Sequence, residues 1–395
     1  MKKLIVNATA IAIATLLVTA GCTGNKQPSD GLITVDVTAS YPEKELILQD
    51  FMDVEYVALE TTDEFVTQGY PLDVGKDVIM VKNQVNDGDI FIFDRKTGKG
   101  LKKINRKGQG GEEYAYVLRL KLDEDNGEMF VNDHYGMKIV VYDMDGNFKR
   151  SFKHKEGAMY NHIYNFDRDN LICHDGFFSN DGEANRQSLM IISKQDGSIT
   201  REIQIPFKEK KIPVLISKDE ANGMVYSAGP GERPIIPYFG DWLIVELSAD
   251  TVYRYSPDHT MTPLIVRTPS IQNMDPEIFL LPAAVTSRYD FMETVKKEFD
   301  FAANKGFPET DLVYDKKEKA IYKYVVYNDD YTVKKTVSPK SFPINAEIAA
   351  LQILQADQLV EAYEKGELKG RLKELAAGLD EESNPVIMLM KHKEL

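Results

Sequence analysis

The chain has 395 residues, 48 Lys+Arg against 62 Asp+Glu, a formal net charge of −14 and two cysteines. That balance argues against nucleic acid as a partner, because neutralising phosphates needs clustered cations. With Cys22 near the start, Cys173 is the one thiol left for the body, so no internal disulfide is expected there.

The first residues read as a processing signal. Lys2 and Lys3 precede an apolar stretch from Leu4 to Ala20, and Ala20-Gly21-Cys22 closes it. A charged start, an apolar run and small residues make a secretory signal peptide. A Cys directly after Ala-Gly matches a bacterial lipobox, although Thr19 stands where that pattern usually has Leu or Val. Residues 1–22 are thus expected to be a lipoprotein signal peptide, with Cys22 as the lipidated residue. Residues 23–40 are expected to be a flexible tether and 41–395 a single domain. No second apolar run is long enough to cross a bilayer, so membrane contact is expected through the lipid anchor only.

Val54-Glu-Tyr-Val-Ala-Leu-Glu60 reads as a strand with no partner nearby in sequence. A repeat follows. Its clearest copy, Glu128 to Phe152, reads as strand, loop, strand, Asp-Gly turn, strand. Related turns follow Asp94, Asp143, Ile192, Tyr255 and Asp315. A period of roughly 40–50 residues with about four strands per unit indicates a β-propeller.

Blade 1 is expected around Val78–Val81, Ile90–Asp94 and Leu101–Ile104, blade 2 from Tyr114 to Phe152, and blade 3 from Ile163 to Ile205. Blade 4 is read from Met224–Ser227, Trp242–Leu247, Thr251–Tyr255 and Pro263–Arg267. Blade 5 takes Ala283–Val295, Leu312–Asp315 and Ala320–Val326, with a short helix expected over Glu293–Phe301. The Pro/Gly stretch Gly229–Gly240 is expected to join the first two strands of blade 4, either as a binding loop or with Ile235, Ile236 and Phe239 covering a wall.

After Ile348–Leu354, the apolar spacing of Leu359, Val360, Tyr363, Leu368, Leu372, Leu375 and Leu379 turns helical, and Gly366 divides it into two short helices. The stripe is expected to pack on the propeller wall. A last strand, Val386–Lys391, solves the orphan: a ring must close or leave an open edge. Pairing it with Val54–Glu60 closes the ring, the N-terminal strand being outermost.

Val131 to Asp143 resembles the NHL repeat, and Arg106-Lys-Gly-Gln-Gly-Gly-Glu-Glu-Tyr114 resembles the segment between blades that accompanies it. The mature chain resembles the six-bladed β-propeller lipoproteins of Bacteroidetes. The shared stretches are Val54–Thr62, the Arg106–Gly110 loop, Tyr363–Gly370 and Asp380–Val386. The resemblance implies an all-β, six-bladed, NHL-like propeller with a short helical insertion in its C-terminal blade. It implies an address in the cell envelope and no settled activity. Gly111-Glu112 and Gly136 depart from the repeat pattern.

Loops between blades and loops joining second and third strands of a blade share one face. That places Arg106, Lys107, Glu113, Asp133, His134, Tyr135, His162, His174 and Asp175 on or near one channel mouth, with His154 and Asp181 nearby. They form the candidate ligand-binding set. Read sharply, His134, His162 and His174 are a site for a divalent metal such as Zn or Ca; read plainly, they are polar channel-lining residues with no cofactor. The Gly108–Gly111 run does not lead a strand into a helix, so it is read as a tight connection rather than a phosphate cradle. There is no nucleophile elbow. The expected function is a lipid-anchored, non-enzymatic module binding a small ligand or an envelope protein. It would sit at the outer membrane facing the periplasm, with surface display left open. The alternative is a metal-dependent lyase or hydrolase at the channel mouth.

Overall fold

Six sheets succeed one another along the chain and form a six-bladed β-propeller with few helices. The computed structural model describes residues 31–176, 187–219 and 223–393. Blade 1 runs Tyr70–Val74, Val78–Lys82, Asp89–Asp94, Gly100–Asn105; blade 2 runs Val117–Asp123, Glu128–Asp133, Lys138–Asp143, Phe148–Lys153. Blade 3 runs Tyr160–Asn165, Asn170–Asp175, Leu189–Ser193, Ile199–Ile203. In each, consecutive strands pair antiparallel from the channel outward.

The repeat has a physical cause. Asp94, Asp143 and Asp315 end the third strands of blades 1, 2 and 5, and each carboxylate accepts N–H groups of the turn that follows. Asp94 takes Thr97 (2.7 Å), Asp143 takes Asp145 and Asn147 (2.9 Å each), and Asp315 takes Lys317 (3.0 Å). Short acids favour such turns because they mimic a backbone carbonyl. The turn glycine then packs on the blade before it. A Cβ on Gly146 would meet Ile104, one on Gly197 would meet Phe152, and one on Gly98 would stand 1.8 Å from the Ala58 carbonyl. All three have positive φ, which glycine adopts without steric cost.

The ring closes as the sequence predicts. Met52–Ala58 pairs antiparallel with Val386–His392, Val54 opposite Met390, and forms the outer edge of blade 6. Val386 to Met390 are all buried, as a strand covered on both faces requires. The helices Ala356–Glu364 and Gly370–Ala376, with Leu368 of the link between them, place Leu359, Leu368 and Leu372 in one core with Phe51, Met52 and Tyr56, on the wall of blades 5 and 6.

Four expectations are corrected. The expected tether over 23–40 ends sooner: Ile33–Asp36 is a strand paired in parallel with Met261–Thr268, outside blade 4. Glu43–Ile47 likewise pairs in parallel outside Ala320–Tyr327 of blade 5. The N-terminal segment therefore hydrogen-bonds to the outer strands of blades 4 and 5 and then supplies that of blade 6, as a belt. Second, Val225–Ala228 is not in blade 4. It pairs with Leu215–Lys218 in a separate hairpin, and the inner strand is Ile235–Tyr238, so Ile235 and Ile236 are core residues. β-branched Ile inside a Pro/Gly-rich stretch hid that strand. Third, Glu293–Phe301 is not helical: strand Tyr289–Lys296 continues through it into a small hairpin, Phe299–Asp300 with Lys305–Gly306. Fourth, blade 1 has an inner strand, Tyr70–Val74, that the sequence reading lacked.

Hydrophobic cores lie between blades rather than inside one centre. Blades 1 and 2 share Leu72, Ile92, Leu120 and Tyr142; blades 2 and 3 share Phe130, Val141, Ile163 and Cys173; corresponding clusters link the other neighbours. Each blade is thus stable only against its neighbours.

Candidate functional site

The connecting acids on the expected face are structural. Asp133 Oδ1 accepts the Tyr116 N–H (2.9 Å) and Oδ2 accepts that of Ala115 (3.1 Å), tying the end of the second strand to the loop entering blade 2. Asp175 does the same in blade 3 through the Met159 N–H (2.9 Å), and Asn83 in blade 1 through Gln68 (3.0 Å). Glu113 folds back to accept the Gly110 N–H (2.8 Å), and a Cβ on Gly108 would stand 1.9 Å from its Oε2. Tyr114, fully buried, donates to the Gly88 carbonyl (2.7 Å) and accepts the Arg106 N–H (3.0 Å). Arg106 donates to the Gly146 carbonyl (3.1 Å), and Lys107 donates to the Asn86 carbonyl. The Arg106–Tyr114 loop is therefore held largely by contacts to itself and to neighbouring turns.

The histidines divide. His154 is buried, its ring centre 4.4 Å from that of Tyr160 and tilted against it, with Nε2 2.9 Å from Asn132 Oδ1. Burial pushes it down to about 4, against the opposing pull of Asp175 and Asp133. His162 and His174 sit opposite one another on adjacent strands, ring centres 6.0 Å apart. Burial, then the Arg119 charge, holds His162 well below the usual range, and burial puts His174 at about 4. All three rings are neutral at pH 7. His134 is half-buried beside Tyr116 and the exposed Tyr135. His162 lines one cavity, His174 a second, and His134 neither. Asp181 and Cys22 lie outside the described residues.

The alternative metal trio is not assembled. His134, His162 and His174 do not bring three ligand atoms within 4.8 Å of one another; among the described residues Glu293, Glu309 and Asp311 do. There the Lys340 ammonium already sits among the carboxylates, 2.6 to 2.9 Å from each, and Arg233 bonds Glu293 as well. A cationic side chain holds the place a metal would take.

The channel itself contains what the sequence reading missed. Blade 6 has a three-stranded sheet, and the stretch 338–347 runs where an inner strand would lie. It is pinned on all sides. Arg233 donates to the Lys340 carbonyl (2.9 Å), Tyr164 O–H to that of Pro343 (3.1 Å), Lys121 to that of Ile344 (3.0 Å), and Asn345 to that of Val74 (2.8 Å). Lys121, Tyr164 and Ile344 line cavities on both sides and separate them.

One cavity, about 800 Å³, is ringed by charged groups that largely satisfy each other, such as Asp123 with Lys194 at 2.7 Å. The other, about 410 Å³, is mainly apolar and receives His162, Arg119 and Phe342. Its volume is in the range of small-molecule sites. The Arg119 guanidinium lies 4.6 Å over the Phe342 ring, and the His162 ring 5.3 Å from it. Burial depresses Arg119 below the usual guanidinium range. A signal for these residues existed: Val117-Leu-Arg-Leu-Lys-Leu-Asp123 alternates cations with leucines, and the innermost strand of a blade faces the channel. Of the sequence-predicted set, this cavity keeps His162 alone.

Solved structures resemble the chain to different degrees. A Bacteroides fragilis protein described as a "putative exported protein" is 13% identical, superposes with a TM-score of 0.57, and is matched over 92% of this chain and 99% of its own. A member of the DUF4221 family from Bacteroides vulgatus is 7% identical, with a TM-score of 0.42, covering 72% of this chain and 92% of that one. The first likeness speaks to the fold alone. No curated protein sequence matches the chain. Residues 32–391, nearly the whole propeller with its belt, match the domain of unknown function DUF4934, and the chain belongs to that family.

Proposed function

We propose that this protein is a non-enzymatic binding module of the cell envelope, held by a lipid on Cys22, that takes a small ligand in the channel cavity lined by Arg119, His162 and Phe342. The carrying observation is that cavity: about 410 Å³, walled by apolar side chains, on a rigid scaffold. Lys2, Lys3, the apolar run and Ala20-Gly21-Cys22 support the address. The buried, neutral histidines and the self-satisfied loop acids favour a binding role over acid–base chemistry.

Two measurements test the proposal. Cys22→Ser should move the protein from the detergent-extracted membrane fraction to the soluble one. In a thermal-shift screen of small molecules, ligands that stabilise the wild type should lose their effect on Ile353→Trp, which fills the cavity. Hits that stabilise both proteins equally would place binding elsewhere.

A further inference from the structure

Resting on that reading, we infer that the channel cavity binds an organic anion, with a carboxylate head on Arg119 and an apolar body against Leu72, Ile163 and Ile353.

Two cationic side chains line this cavity, and no carboxylate does. Lys121 is compensated, with Asp73 at 3.0 Å and the Ile344 carbonyl at 3.0 Å. Arg119 is not. Among the described residues its side chain has no ion pair and no hydrogen bond; its neighbour is the face of Phe342. Lys82 adds positive charge nearby: its ammonium donates to the Val117 carbonyl (2.7 Å) and lies 4.7 Å from the Tyr116 ring centre. Its pKa is lowered by burial and then by Arg119, which fits two cations left close together. In a chain of net charge −14, acids are plentiful, yet among the described residues none lines this cavity beside the guanidinium.

A half-buried, unpaired guanidinium is costly to keep. Its planar fork suits a carboxylate, which it holds with two parallel N–H···O bonds. The apolar walls exclude a small hydrated ion as the best occupant, because such an ion would leave them wet and gain nothing from them. Neutral His162 beside Phe342 adds no competing charge.

The test uses the detergent-solubilised full-length protein, with octanoate, its neutral analogue octanamide, and inorganic phosphate as probes in titration calorimetry. Octanoate should bind, and octanamide and phosphate should each bind at least about tenfold more weakly. Arg119→Met should weaken octanoate by a similar factor. Its unliganded melting temperature should not fall, because the substitution removes an uncompensated cation; a drop would mark a structural role instead. Octanamide binding as tightly as octanoate, or octanoate unaffected by Arg119→Met, would overturn the anion inference while leaving a ligand-binding cavity. Phosphate alone binding as well as octanoate would overturn the apolar body. Octanoate failing to bind the wild type overturns the inference outright. The broader reading falls with it only if the small-molecule screen also finds no ligand sensitive to Ile353→Trp.

Discussion

Lys121 Nζ lies 3.0 Å from Asp73 Oδ1, and both side chains are buried. Lys121 belongs to the inner strand of blade 2 and Asp73 to that of blade 1, and the same ammonium holds the Ile344 carbonyl. One side chain thus joins two blades and the stretch that fills the channel. Burial raises the Asp73 pKa despite Lys121, so removing the lysine leaves an acid that the site cannot keep ionised. Lys121→Met should cost about 3–5 kcal/mol in denaturant unfolding. Adding Asp73→Asn, which can still accept the Leu122 N–H, should recover more than half of it. Equal losses in the single and double variants would contradict this account.

The belt predicts graded effects of truncation. Deleting residues 1–40 removes Ile33–Asp36 and re-exposes the edge of blade 4, which should lower the melting temperature but keep one cooperative transition. Deleting residues 1–60 also strips the outer strand of blade 6 and opens the ring, and should give aggregation or loss of the transition. Unchanged melting of the longer deletion would rule out this closure.

Gly98 should tolerate no side chain. Its φ is +73° and a Cβ would stand 1.8 Å from the Ala58 carbonyl, a backbone atom that cannot swing away. Gly98→Ala is expected to destabilise by at least about 1–2 kcal/mol. Gly127→Ala shares the positive φ but meets nothing within 4 Å, and serves as the control for strain alone. The difference between the two in urea unfolding measures the crowding at the blade junction.

The buried histidines set an acid sensitivity. Their folded pKa values are depressed below the ordinary 6.5, to about 4 for His154 and His174. The unfolded chain therefore binds more protons as pH falls below 6.5, and stability drops between that value and about 4. Each of these two groups contributes about 3 kcal/mol to the loss. Glu128 and Asp315, held near 2 by Arg150 and, despite burial, by Lys44 and Arg288, lose their contributions only at lower pH. Unfolding free energies of wild type and His174→Leu at pH 7.5 and 5 should show a smaller drop in the variant. A parallel drop in both would assign the sensitivity to other groups.

Asp133 offers a contrast between structural and ligand roles. Asp133→Ala should cost about 1–3 kcal/mol by leaving the Ala115 and Tyr116 N–H groups without their acceptor. Binding in the channel cavity, which Asp133 does not line, should persist at temperatures where the variant is folded. Calorimetry with octanoate at low temperature separates the two effects.

Local rules were enough for much of this protein. Acid-capped turns after Asp94 and Asp143, alternating strands and the helical stripe from Leu359 to Leu375 are short-range features, readable without a partner. Even the closing strand was legible, because Val386 to Met390 is too apolar for anything but a covered position. What sequence could not settle was which polar groups satisfy each other. Asp133, Asp175 and Glu113 have the chemistry of ligands, but their oxygens accept backbone N–H groups, those of adjacent loops for the two aspartates and of its own loop for Glu113. Arg119 drew no notice in the sequence, yet it lines a cavity in which, among the described residues, there is no carboxylate. The parallel pairing of Ile33–Asp36 was hidden for a like reason, since its partner Met261–Thr268 lies more than 200 residues along the chain, whereas the strand at Ile235–Tyr238, which pairs with the next strand of its own blade, was masked by the Pro/Gly residues around it. Periodicity determines the blade, since each strand answers to its own turn. The channel is decided only when inner strands from several blades, and the stretch 338–347, converge and leave one guanidinium unanswered.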